Sequence, residues 1–247
     1  MTGRPGAETR LVAATRGGAG LAARAARLWP GCQVLAGPAA EPPLAEAGVP
    51  YRPVARGGLG EAIGASWERA GRIVCFLSVG ATVRLIAPWL CGKGADPGVI
   101  AVDEGGRFVV PVLGGHRGGA NHAAERLAAE LGAVPVWTTA SEAVGVPSPD
   151  LLGADQGWRV EASEAALRRA AGALVNGEPV ALIEEGDRWQ PDAAPPAHLQ
   201  RLPDAGSLDP AQYAAVLWVR GEPVPEAWRS VLQDRLVVYR PPEGRAA

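Results

Sequence analysis

Three times before residue 132 the chain runs an apolar, strand-like segment through small residues into a helical stretch. LVAAT leads past Gly17, Gly18 and Gly20 into LAARAARL; RIVCFLS leads through Gly80 into ATVRLIAPWL; FVVPV leads through GGHRGGAN into a helix ending near Leu131. Strand, small-residue turn and helix in that order form the α/β unit. RIVCFLS is nearly continuous in apolar residues, which suits a central strand covered on both faces, as in parallel sheets. The pattern therefore predicts an α/β fold: an open, mostly parallel sheet flanked by helices. Further strands are expected at Gln33–Ala36, Gly98–Val102, Phe108–Val112 and Val134–Trp137, with VDEGGR as a tight, hairpin-like turn.

After Thr139 the pattern changes. A polar, proline-bearing connection leads to a weak strand at Trp158–Glu161, a helix from Glu164 capped by Ser163, and strands at Pro179–Ile183, Ala214–Arg220 and Leu236–Tyr239. This predicts a smaller second α/β domain, with residues 1–142 in the first and 143–247 in the second. GPAAEPPLAEAGVP is expected to be a loop with one helical turn, and DRWQPDAAPPAHLQRLPDAGSLDP an irregular insert.

The formal net charge of −2 argues against nucleic acid as the main partner. Cys32, Cys75 and Cys91 are odd in number and form no CxxC, so neither a disulfide framework nor a thiolate zinc site is indicated, which fits a reducing cytoplasm. Apolar runs fall far short of the ~20 residues that span a bilayer, so no membrane role is expected.

The turns carry the candidate chemistry. In GGHRGGAN, glycines let a ligand approach the backbone, and the following helix points free amides and its positive dipole end at the turn. Arg117 and Asn121 add donors. The turn is either an anion site or a structural connection, and His116 either a general base or a cap. His122, six residues on, does not share a helix face with His116, so a two-histidine metal site is not expected. In SVGATVRL, Ser78, Gly80 and Thr82 stand at the turn. Arg84, among apolar neighbours, should pair with an acidic ligand or an internal carboxylate. Asp103 and Glu104 are a general base, partners for Arg84, or solvated turn carboxylates. Thr138, Thr139 and Ser141 are ligand donors or a cap. In a parallel sheet such turns collect at the carboxyl ends of the strands, where ligands bind. A nucleotide or sugar-phosphate binder remains possible on that logic, although no Walker loop or GxGxxG is present.

Together the two turns narrow the field. From Ser78 to Leu152 the chain resembles the CbiG family of cobalamin biosynthesis proteins, through VRLIAP, DPGVI, VDEGGRF, GHRGGAN, a helix and a TT segment. The likeness is looser as far as Tyr239 and weak over the first fifty residues. It implies cobalt-precorrin-5A hydrolase activity in the anaerobic route to vitamin B12: opening of a corrinoid δ-lactone with release of acetaldehyde to give cobalt-precorrin-5B. Mapped onto these positions, His116 becomes the candidate base, with Asp103 or Glu104 as orienting group or alternative base. Backbone amides around Gly118 to Ala120, with Asn121, become oxyanion or carboxylate donors. Gly80, Thr82, Arg84, Gly115, Arg117, Gly118, Gly119, Asn121, Thr138 and Thr139 become substrate-binding candidates. Cobalt would arrive within the substrate, so no protein metal site or cofactor is expected. Family members commonly continue into a CobE-like domain after a strand like LVVYRPP, and this chain stops at PPEGRAA. The expectation is a hydrolase acting alone or with a separate CobE-like partner; the alternative is a non-catalytic corrinoid-binding subunit or carrier that needs such a partner.

Overall fold

A computed structural model describes residues 8–92, 95–115, 118–146, 148–153, 156–184 and 195–242. The chain forms two compact units, Met1–Thr138 and Thr139–Ala247. Among the described residues no helix is long and apolar enough to cross a membrane.

The first unit runs β1 (Glu8–Ala13), α1 (Arg16–Ala25), β2 (Gln33–Ala36), α2 (Glu41–Glu46), β3 (Tyr51–Pro53), α3 (Leu59–Gly64), β4 (Ala70–Phe76), α4 (Val79–Ile86), β5 (Gly98–Val102), β6 (Phe108–Leu113), α5 (Ala120–Leu131) and β7 (Val134–Pro135). Its sheet has the order β3-β2-β1-β4-β5-β6-β7. All neighbours are parallel except β5 and β6, which form an antiparallel hairpin. The sheet is thus open and mostly parallel, as the turn pattern predicts.

The apolar runs explain the centre. Ile73 to Phe76 and Val99 to Val102 are buried because both faces of the sheet are covered. One face packs Leu11, Val74 and Phe76 under α1, α2 and α5; the other packs Val12, Ile73 and Cys75 under α3 and α4. Helix α1 reaches the sheet closely because its inward side is small: Gly18, Ala19, Ala22 and Ala25. A Cβ on Gly18 would lie 2.8 Å from the Phe76 carbonyl oxygen. The segment expected as mostly loop contains α2, whose Pro42 and Pro43 fall in the first turn, where a missing N–H costs little.

The second unit contains α6 (Ala140–Val144), β8 (Arg159–Glu161), α7 (Glu164–Asn176), β9 (Val180–Glu184), β10 (Leu199–Leu202), β11 (Ala215–Val219), α8 (Glu226–Leu232) and β12 (Leu236–Arg240). Its sheet order is β10-β9-β11-β12-β8, with only β8 antiparallel. Strand β10 lies within the insert expected to be irregular, where pairing to β9 overrides the surrounding prolines. Ser163 caps α7, accepting from the Ala166 amide at 3.1 Å. Tyr239 is fully buried against Trp158 and donates to the Pro149 carbonyl at 2.7 Å.

The glycine turn after β6 is a backbone-on-backbone contact. Gly114 and Gly119 hold φ of 65° and 66°. A Cβ on Gly118 would fall 2.7 Å from the Gly114 oxygen and 2.9 Å from the Gly98 nitrogen. These neighbours are main chain and cannot swing aside. Gly118→Ala is therefore expected to destabilise the protein by about 2 kcal/mol or more, read as a lowered denaturant midpoint with an unchanged slope.

Candidate functional site

Strand β1 leads leftward in the sheet to β2 and β3, whereas its parallel neighbour β4 leads rightward to β5. The helices that follow, α1 and α4, consequently leave on opposite faces. Between the carboxyl ends of β1 and β4 lies the topological switch point, where open α/β sheets bind ligands.

Three turns meet along this edge. Thr15 is the N-cap of α1, and its hydroxyl accepts from the Gly18 amide at 3.1 Å. Ser78 is the N-cap of α4, accepting from the Ala81 amide at 3.3 Å. The β5–β6 turn supplies Asp103 and Glu104. Glu104 reaches back to the start of α1, where the Thr15 hydroxyl donates to its carboxylate, 2.8 Å from each oxygen. Gly17 makes room for it: a Cβ there would sit 2.6 Å from Glu104 Oε1. Arg16, Glu104, Gly80 and Arg84 are all exposed here. Val79 and Val83, one turn apart on α4, are each 43% exposed and add an apolar strip.

Arg84 resolves one of the open alternatives. Its guanidinium folds back onto the Gly80 carbonyl at 3.1 Å, and among the described residues no carboxylate pairs with it. Thr82 requires a correction. It is fully buried and its hydroxyl donates to the Ser78 carbonyl at 3.1 Å, so it packs the core rather than facing a ligand. Burial pushes the neighbouring Cys75 thiol up to about 12.

Asp103 differs from Glu104 despite standing next to it. Its Oδ1 accepts from the amides of Arg107 and Phe108, both at 2.7 Å, and Oδ2 faces Arg107 Nε at 3.4 Å. Partial burial raises its pKa, but the Phe108 and Arg107 amides and the Arg107 guanidinium together outweigh this and hold it below the usual carboxylate range. A carboxylate so occupied closes its turn and makes a weak base.

The glycine turn lies elsewhere. Because β6 runs antiparallel to β5, Leu113 pairs with Val99 near the start of β5, whereas Val102, at its end, pairs with Val109. Five steps of about 3.4 Å separate Phe108 from Leu113, roughly 17 Å. Gly114, Gly115, Gly118 and Gly119 therefore stand at the amino edge of β5, opposite Asp103 and Glu104. The expectation that one site combines the glycine turn with those carboxylates fails on this reversal. His116 and Arg117 lie outside the described residues. The Ala120 and Asn121 amides are taken by the Gly114 and Gly115 carbonyls, at 3.1 and 2.9 Å, so Ala120 is not a free oxyanion donor. Asn121 is buried, and its Oδ1 would stand 2.7 Å from a Cβ at Gly115. Thr138 is exposed at the end of the first unit; Thr139 opens the second, with its hydroxyl buried and unpartnered among the described residues.

Thr15 is the site residue the sequence reading missed. It reads as the last residue of a strand, and its tie to a carboxylate 89 residues away has no local signature. The only available hint is a threonine at the N-cap position before a glycine-opened helix.

The Asp103 hydrogen bonds give a pH prediction. A carboxyl group held low when folded contributes stability above its unfolded pKa of ~3.9, and loses it as pH falls through the folded value. Asp103→Asn is expected to be less stable than the parent by about 1–2 kcal/mol at pH 7. The difference should shrink below about pH 4, measured by urea unfolding across pH.

Residues 61–142 match the model described as cobalamin synthesis G N-terminal, and residues 147–241 the one described as cobalamin biosynthesis central region. The chain is 35% identical over 172 residues to a cobalt-precorrin-5A hydrolase of Priestia megaterium, covering 68% of this chain and 46% of that protein. It is 33% identical over 138 residues to a cobalt-precorrin-5A hydrolase of Salmonella typhimurium, covering 53% and 39%. The chain thus spans about half the length, or less, of these curated relatives. A crystal structure of a cobalamin biosynthesis protein G homolog from Sulfolobus solfataricus aligns with a TM-score of 0.44 and 16% identity, over 95% of this chain and 60% of that one. With its N-terminal and central regions matched in order, the chain belongs to the CbiG family of cobalamin biosynthesis proteins.

Proposed function

We propose that this chain is a cobalt-precorrin-5A hydrolase: it opens the δ-lactone of a cobalt corrinoid and releases the two-carbon fragment as acetaldehyde. The observation that carries the reading is the alignment, over 172 and 138 residues, with two relatives that bear this name. The carboxyl edge of the first sheet supports it chemically. A corrinoid presents apolar ring edges and a rim of acetate and propionate carboxylates. Val79 and Val83 suit the former, and Arg16 and Arg84 the latter.

Lactone opening consumes one water. Glu104 takes the water's proton as the new carbon–oxygen bond forms, and the tetrahedral carbon collapses to expel the ring oxygen as an alkoxide on the two-carbon fragment. That oxygen becomes the carbonyl of acetaldehyde as the carbon–carbon bond to the macrocycle breaks, and the electron pair of the broken bond, with one proton, stays on the macrocycle. Glu104 takes this role rather than Asp103 because its carboxylate is exposed and is not tied down by backbone amides. Cobalt enters as part of the substrate, and the chain's own groups carry the hydrolysis.

The test is anaerobic incubation with cobalt-precorrin-5A, with and without a CobE-like protein, assayed for acetaldehyde and loss of the lactone mass. Turnover is expected from the parent, and Glu104→Gln should lower kcat by about 100-fold or more. A parent that binds the corrinoid but never yields acetaldehyde would sink the hydrolase reading. A fully active Glu104→Gln would remove Glu104 from the mechanism.

A further inference from the structure

We infer that Thr15 is a positioning residue for the reaction, acting through Glu104; this rests on the reading of Glu104 as the base. The Thr15 hydroxyl is committed in two directions. The Gly18 amide donates to it at 3.1 Å, and it lies 2.8 Å from both Glu104 oxygens. An ionised carboxylate only accepts hydrogen bonds, so the hydroxyl proton goes to Glu104. The arrangement joins the β1–α1 turn to the β5–β6 turn, on either side of the β4 end, across 89 residues of sequence.

Without this tie, a glutamate on an exposed turn samples many rotamers. With it, the carboxylate is held over Gly17, in space that only a glycine leaves open, because a Cβ there would fall 2.6 Å from Oε1. The positive end of α1 faces the same carboxylate. A base held in one geometry accepts its proton without first being ordered. Thr15 touches no reacting atom in this account; it sets where Glu104 points.

A helix cap alone would also explain a threonine here, so the experiment separates the two roles. Thr15→Asp keeps an oxygen for the Gly18 amide, since aspartate caps at least as well as threonine, but sets a like charge against Glu104. Thr15→Val removes both functions, and Thr15→Ser restores both. Acetaldehyde release is measured for the parent, these three variants and Glu104→Gln, with thermal unfolding alongside. Thr15→Val and Thr15→Asp are each expected to lower kcat about tenfold or more with KM nearly unchanged. Thr15→Asp should keep the parent's melting temperature, and Thr15→Ser should recover most of kcat.

A Thr15→Asp protein with the parent's kcat overturns the inference and leaves Thr15 as a cap only. So does a Thr15→Val protein whose loss appears in KM alone. Should the parent itself yield no acetaldehyde, the hydrolase reading fails and this inference falls with it. An active parent with an equally active Glu104→Gln fails at the assignment of the base.

Discussion

Parallel pairing of Glu8–Ala13 with Ala70–Phe76 puts two strands side by side whose chains then depart in opposite directions. The remainder of the first unit follows from this contact. It sends α1 and α4 to opposite faces and buries Val74 and Phe76 under one and Ile73 and Cys75 under the other. The close approach depends on small residues at the start of α1. Gly18 lies against the Phe76 carbonyl, and Gly17 leaves space for a carboxylate arriving from a distant turn. The same glycines that let the helix pack also open its amino end, so one local sequence serves both packing and access.

The hairpin between β5 and β6 then sorts the polar residues into two groups. Asp103 binds the amides of Arg107 and Phe108 and closes the reversal. Glu104, one residue on, accepts instead from the Thr15 hydroxyl. Adjacent carboxylates thereby take different parts, one holding the turn and the other presented at the carboxyl edge. The reversal also carries the glycine turn to the other end of the sheet. There Gly98, Gly114 and Gly118 meet main chain to main chain, and the first amides of α5 are used internally. Abundant glycine is thus sufficiently explained at that turn by packing, whereas at Gly17 it admits a functional group.

Much of this was legible in the chain itself. RIVCFLS reads as a buried parallel strand because a strand covered on both faces has no polar alternation to keep. The turn at VDEGGR was readable as a hairpin. That reversal breaks the rule by which turns gather at the carboxyl edge, which holds only while strands stay parallel. Thr82 looked like a ligand donor from its place beside Gly80, yet helical geometry points it inward, where the Ser78 carbonyl satisfies it. Strands β3 and β10 were missed because each is three or four residues long and set among prolines, so pairing rather than propensity makes them. Thr15 was invisible as a site residue because its meaning depends on a partner that only the folded sheet brings near.

We propose that the corrinoid sits on the carboxyl edge of β1, β4 and β5 and not on the glycine turn. Hydrogen–deuterium exchange of the protein with and without cobalt-precorrin-5A tests it without requiring turnover. Slowed exchange is expected in peptides spanning Thr15–Gly20, Ser78–Thr82 and Asp103–Arg107, with little change across Gly114–Asn121. Protection confined to Gly114–Asn121, with the other three peptides unmoved, would contradict it.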